Sequence, residues 1–259
     1  MWKFTCFSVL TGSFMLSSAA AGELSIAAYT DNVPFAFVDG AGTLSGFEID
    51  LVKLLAKRMG KTPNFTSMPF NSLFNAVQSG RADVAMGTVA VTKQRLGSVS
   101  FTQPYFDSNQ CVVTSSRSTI VGLSDLAGKV LSVVTGSTGE IWATANQKEM
   151  GVSEVRRYDS TNEALLDIAT GRVSAYVYDC PSAAYYIKDK PSFSIVATIP
   201  TVEQFAFMVS KNSPILGELN SAIAELKKSG EIAALYEKWL GIKAEEASST
   251  VSEKAIPNL

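Results

Sequence analysis

Histidine is absent from all 259 residues, which removes imidazole acid–base catalysis and histidine-ligated metal centres from consideration. The three cysteines, Cys6, Cys111 and Cys180, lie too far apart for a CxxC pair or a zinc ribbon, so structural zinc is excluded as well. Charge of one sign is also lacking. Lys and Arg number 22 against 24 Asp and Glu, a balance that gives nucleic acid no electrostatic footprint. No apolar run approaches the roughly 20 residues that a membrane-spanning helix requires. What remains is ordinary globular material, 46% hydrophobic and 18% charged, enough for one large domain or two smaller ones.

The amino terminus, MWKFTCFSVLTGSFMLSSAAAGELS, has one cation at Lys3, a broken apolar stretch from Phe4 to Leu16, and small residues ending at Ala21. This is the pattern of a secretory leader, residues 1–21, cleaved after Ala21. Cys6 has no small-residue box before it, so a lipoprotein is not indicated. In an oxidising compartment Cys111 and Cys180 could pair. They are read as two buried small apolar side chains, with a bridge as the alternative.

Strand-like and helix-like segments then alternate: LSIAAY (24–29), DLVKLLAKRM (50–59), NFTSM (64–68), SLFNAVQSG (72–80) and ADVAMGTV (82–89). Alternation of this kind argues a mainly parallel sheet with crossover helices. Leu51, Leu54 and Leu55 share one helical face, with Asp50 as the expected cap. A second cycle begins near residue 121 with LSDLAGK, then VLSVVTGSTGE, ATANQKEMG, VRRYD, NEALLDIATGR and VSAYVYD. Each cycle contains a Gly-Arg pair that closes a helix before a buried strand, SGRADVAMGT and TGRVSAYVYD. Two similar α/β lobes follow from that order. From residue 206 the chain reads AFMVSKNSP and then a long amphipathic helical stretch over 214–241 that returns to the first lobe. The polar, Ser-rich end, AEEASSTVSEKAIPNL, is predicted to be a flexible tail.

GFEIDLVKLLAKRMG, FNSLFNAVQSGRADVAMGTVAVTKQR, VSFTQPYF, LAGKVLSVVTGSTGE and GRVSAYVYDCPSAAYYI stand in this order, and with them the chain resembles the periplasmic solute-binding proteins of polar amino-acid transporters over residues 23–241. The resemblance implies a two-lobed periplasmic-binding-protein-like fold of type II. Each lobe is a mainly parallel sheet flanked by helices, and two hinge strands join them, expected near Gln110–Thr114 and Val202–Phe205. It divides the chain into lobe 1 (22–111 and 204–243), lobe 2 (112–203) and a tail (244–259). It further implies a periplasmic monomer without cofactor, which closes on a ligand and delivers it to the permease of an ABC importer.

The residues can be read beside that likeness. Thr92 is predicted to cap a short helix, which places Arg95 at its third position, where a cation wants an anion nearby. The preceding turn, with Gly87, Thr88 and Ala90, opens at the same end of the sheet. By resemblance Arg95 grips the ligand's α-carboxylate through its planar fork. The turn GSTGE (136–140) offers a helix N-terminus as an anion seat, with Ser137 and Thr138 adding hydroxyls. By resemblance Thr138 is the second lobe's carboxylate contact. Asp179 ends a buried-looking strand and needs a cation, which the ligand's α-ammonium would supply, with the Gly87 carbonyl and Thr88 hydroxyl completing its shell. The bland alternative makes Asp179 a helix cap before Pro181.

The resemblance makes Phe70 an aromatic wall and the first loop the side-chain selector. Many relatives that take cationic amino acids carry an aspartate and a tyrosine there, where this chain has Tyr29 and Asn32. Asp31, close by, counts against that difference, and on balance the residues lean toward a neutral or aromatic ligand side chain. Phe35, Phe37 and Tyr105 are assigned to the core. Two other function classes stay open. Cyclohexadienyl dehydratases share this likeness and would need a cleft acid such as Asp179, Asp31 or Glu140. A soluble signalling partner is the third.

Overall fold

The computed structural model describes Met1 and residues 22–259, so the predicted leader, with its cleavage position and Cys6, lies outside the described residues. The chain opens with β1 (Gly22–Ala28), three short strands β2 (Asp31–Asn32), β3 (Ala36–Val38) and β4 (Leu44–Ser45), and α1 (Phe47–Arg58). Next come β5 (Lys61–Ser67), α2 (Ser72–Gln78), β6 (Val84–Met86), the one-turn α3 (Lys93–Leu96) and β7 (Val99–Phe101). A long strand, β8 (Phe106–Ser115), crosses into β9 (Val130–Val134), α4 (Thr138–Asn146), β10 (Glu154–Tyr158), α5 (Thr161–Ala169), β11 (Ala175–Asp179) and α6 (Cys180–Ile187). β12 (Phe193–Phe205) returns, followed by β13 (Met208–Ser210), α7 (Leu216–Lys228) and α8 (Glu231–Leu240).

Two five-stranded sheets result, ordered β5-β1-β6-β13-β7 and β10-β9-β11-β8-β12. In each, four strands run one way and one is reversed, β13 in the first and β8 in the second. Fold class is therefore α/β and two-lobed. The reversed strands follow from the chain crossing between lobes, since β8 and β12 run antiparallel along their whole pairing.

Apolar periodicity explains the helices. Phe47, Ile49, Leu51, Val52 and Leu55 bury one face of α1, against which α7 and α8 pack to build the first core. The helix starts earlier than predicted: Gly46 occupies the cap position, and Asp50 sits in the first turn, where its charge suits the helix dipole. The long stretch over 214–241 is two helices rather than one, because Gly230 takes a left-handed φ of 77° between α7 and α8. A second apolar cluster joins Tyr29, Phe70 and Leu73 of the first lobe to Val134, Tyr176 and Tyr178 of the second, so the lobes meet over a continuous surface.

Three expectations are corrected. Cys111 and Cys180 form a disulfide, because Cys111 on β8 lies beside the end of β11, where Cys180 begins α6. Gln110–Thr114 is not a free crossing. Its residues are bonded to β11 on one side and largely to β12 on the other, inside the second sheet, and the crossing falls at 107–109 and 200–204, beside a register shift. Nor is the end of the chain loose. Ser249 donates from N–H (2.7 Å) and hydroxyl (2.5 Å) to Asp107, Gln204 reaches Ser249, and Thr250 donates to the Tyr105 carbonyl. Polar composition is compatible with order here because short hydroxyl side chains pair with groups of the crossing strands.

Candidate functional site

The parallel strands of both sheets point their carboxyl ends at one cleft, the usual place for a ligand in open α/β sheets. The lobes lie close together there and leave a cavity of about 30 Å³. β1 delivers Tyr29, β6 delivers Gly87 and Thr88, β9 delivers Val134 ahead of Ser137 and Thr138, and β11 delivers Asp179.

Arg95 is 6% exposed, and Thr92 caps its helix by accepting the Arg95 N–H. The guanidinium donates to the Ala90 carbonyl (2.6 Å) and, across the cleft, to the Gly136 carbonyl (2.9 Å). Its carbon lies 5.5 and 5.2 Å from the ring centres of Phe70 and Phe74. Among the described residues it enters no ion pair, so a buried cation is held only by neutral acceptors and ring faces. Burial lowers its pKa to about 10, against the opposing pull of Glu203 and Asp179. It stays charged at neutral pH.

Asp179 occupies the cap position of α6, yet its side chain makes no capping hydrogen bond. It turns into the cleft, where Oδ2 accepts from Thr88 Oγ1 (3.0 Å) and Oδ1 from Gln110 Nε2 (2.7 Å). Burial first, and then the nearby charge of Glu203, push its carboxyl up to about 7. Glu203 accepts from the same Gln110 amide (3.0 Å). Thr88 is held at φ 52°, unusual for a β-branched residue. The buried carboxylate of Glu48 fixes it by accepting the Thr88 N–H (2.9 Å), while Tyr105 donates to the same oxygen. Neighbouring Gly87 must be glycine, since a Cβ there would meet Tyr29 Cβ at 2.7 Å.

Polar contacts also join the lobes directly. Tyr29 and Thr161 share a hydrogen bond of 2.9 Å, and Tyr29 accepts the Thr161 N–H (3.0 Å). Tyr178 donates to Asn32 Oδ1 (2.7 Å), and Asn32 donates to Thr88 (3.0 Å). Asp31 accepts from the Ser160 hydroxyl, the Asn162 N–H and the Asn162 amide at the start of α5.

Of the ten sequence-predicted residues, Arg95, Asp179, Thr88, Gly87, Thr138, Ser137, Phe70, Tyr29 and Asn32 line the cleft together. Ala90 does not; it stands behind Arg95 and only accepts its hydrogen bond. The turn at 136–140 is a less open anion seat than expected, because Glu140 accepts the Gly136 N–H (2.6 Å) and the Ser137 hydroxyl caps α4. Sequence reasoning missed Gln110, Val134, Thr161, Tyr176, Val177 and Tyr178 in the lining, along with Glu48 and Glu203 behind it. The strand AYVYD carried a usable signal: its alternation puts Tyr176 and Tyr178 on one face, where their rings stack 4.8 Å apart. A buried cation at one side of the cleft and a carboxyl at the other match the two charges of an α-amino acid.

Comparison with known proteins gives a consistent result. The model of the bacterial extracellular solute-binding proteins, family 3, matches residues 24–242. The ABC transporter arginine-binding protein 1 of Escherichia coli is 26% identical over 238 residues, covering 90% of this chain and 96% of that protein. The L-cystine-binding protein TcyJ of the same organism is 30% identical, covering 80% of this chain and 79% of the relative. An ancestral arginine-binding protein solved with arginine superposes with a TM-score of 0.80 at 36% identity, covering 84% of this chain and 98% of that one.

Proposed function

The chain belongs to the bacterial extracellular solute-binding proteins, family 3, and from that premise we propose that it is the periplasmic binding protein of an ABC importer for an amino acid or amino-acid-like solute. The relatives above are binding proteins named for arginine and cystine. They lend the dehydratase alternative no support.

Arg95 holds the ligand's α-carboxylate, with Thr138 and the turn at Ser137 as the partners from the second lobe. Asp179 accepts the α-ammonium, helped by Thr88 and the Gly87 carbonyl. Phe70, Tyr29 and Asn32 face the side chain. The moving bodies are residues 22–106 with 205–243 and residues 110–199, turning about the crossing segments 107–109 and 200–204. The protein acts as a monomer, exported by the leader, and presents the closed form to the permease.

One observation carries this reading. The buried Arg95 guanidinium and the half-buried Asp179 carboxyl line the same cleft and, among the described residues, form no ion pair with each other, so each is left to meet a complementary charge from outside. The test is a melting screen of residues 22–259, unfolded and refolded to strip carried ligand, against the common L-amino acids. A ligand at a hundred times its dissociation constant adds about 2.7 kcal/mol, a shift of roughly 5–11 °C. Arg95→Ala should cost about 2–5 kcal/mol of affinity while the chain still folds. Wild-type affinity in that variant refutes the assignment.

A further inference from the structure

The cleft contains a third region besides the two charged ones. Arg95 and Asp179 are the only charged side chains that line it among the described residues. Beyond them the wall is made by Tyr29, Asn32, Thr161, Tyr176 and Tyr178, closed on one side by the Phe70 ring. These supply three phenol hydroxyls, a threonine hydroxyl and an amide, all neutral. A charged group placed there would lose its water and find no counter-ion beyond Asp179, which the α-ammonium already engages.

Asp31 is a carboxylate on the loop that delivers Tyr29 and Asn32. It does not line the cleft. Its oxygens are committed to Ser160 and Asn162, so it caps α5 of the opposite lobe and clasps the two lobes together. A carboxylate so engaged cannot serve a cationic side chain without giving up that clasp.

The hydroxyls are not equally engaged. Tyr178 is tied to Asn32 at 2.7 Å, and Tyr29 holds both the hydroxyl and the N–H of Thr161. Tyr176, 1% exposed, has a single partner, Thr161 Oγ1, at 3.3 Å. Its buried hydroxyl is the least satisfied polar group of the wall and the one with most to gain from a new partner.

On the amino-acid reading of the cleft, we propose that the ligand's side chain is uncharged and ends in a hydrogen-bonding group that engages Tyr176 and Thr161. The class is a neutral polar amino acid, with hydroxyl or carboxamide side chain, and not a cationic or acidic one. Tyr176 is a specificity-determining residue.

The test is calorimetry on stripped residues 22–259 with L-glutamine, L-asparagine, L-threonine and L-serine against L-arginine, L-lysine, L-glutamate and the apolar L-norvaline. At least one neutral polar ligand should bind about 100-fold more tightly than any charged one. Tyr176→Phe should weaken that ligand about 5- to 30-fold and leave L-norvaline unchanged, a selectivity that a loss of packing would not produce. Arginine, lysine or glutamate binding as tightly as the best neutral ligand overturns the inference, and so does an equal effect of Tyr176→Phe on both ligand types. Arg95→Ala separates the two levels. If a charged ligand wins and Arg95→Ala abolishes its binding, the amino-acid reading stands and the side-chain class falls; if no amino acid binds, or Arg95→Ala leaves binding intact, both fall.

Discussion

Gln110 Nε2 donates to Asp179 Oδ1 at 2.7 Å, and each of these two residues is followed directly by one half of the Cys111–Cys180 disulfide. The bridge therefore clamps the middle of β8 to the end of β11 one residue away from the contact that orients the Asp179 carboxyl. Replacing both cysteines with serine should cost about 2–4 kcal/mol of stability in urea melts. It should also weaken amino-acid binding about 3- to 10-fold by calorimetry, because Gln110 and Asp179 lose their fixed spacing. Unchanged affinity in a destabilised variant would reduce the bridge to a staple of the second lobe.

Glu48 gives a pH-dependent prediction. Burial raises its pKa above the ordinary 4.5, and the hydrogen bonds from Tyr105 and the Thr88 N–H only partly offset this; Oε2 has no partner. The folded state then holds this proton more tightly than the unfolded chain. Its contribution is fully present below pH 4.5 and is lost as pH rises toward the raised value. Glu48→Gln keeps an acceptor for the Thr88 N–H and cannot ionise. It should lie within about 2 kcal/mol of the parent at pH 5 and gain on it by pH 8, while Glu48→Ala should cost about 3 kcal/mol or more at both. Urea melts at the two pH values decide the matter.

Asp179 adds a second pH dependence, this time on binding. Its carboxyl is pushed up to about 7, and an α-ammonium needs it ionised. Apparent affinity should be highest above pH 7 and fall by about one to two orders of magnitude on going from pH 8 to pH 5. Asp179→Asn should flatten that profile at a low affinity. Calorimetry across the range measures both.

The carboxyl-terminal segment gives a truncation test. Ser249 and Thr250 bind Asp107 and the Tyr105 carbonyl, and Ser252 accepts from Lys227, whose Nζ is otherwise held by Gln103 and the Pro104 carbonyl. Removing residues 244–259 should lower stability by about 1–3 kcal/mol and open the 103–107 segment to proteolysis. Unchanged melting and cleavage patterns would show that the docking contributes nothing.

The parts of this molecule that depend on local order could be read in the sequence. The apolar stripe of α1, the Thr92 cap that sets Arg95, and the strand end that presents Asp179 all rest on neighbours within a few residues. What escaped the reading is carried by distant pairs. Gln110 looks like an ordinary strand residue until β8 is laid beside β11, and Cys111 meets Cys180 for the same reason. Glu48 stands before the predicted start of its helix with no local mark of burial, and only the turn at Gly87 and Thr88 makes it a buried brace. Ser249 pairs with Asp107 across a separation that composition cannot reveal.

The position of β13 has a consequence for how the protein is made. It lies between β6 and β7 in the first sheet, although it follows them by more than a hundred residues, and β12 closes the edge of the second. A ribosome releases the amino end first, so neither sheet can be completed until the final part of the chain has emerged. The nascent polypeptide is thus kept from reaching its native state during synthesis by its own strand order. For a member of an extracellular family, that delay lengthens the time for which the polypeptide stays open along its whole length.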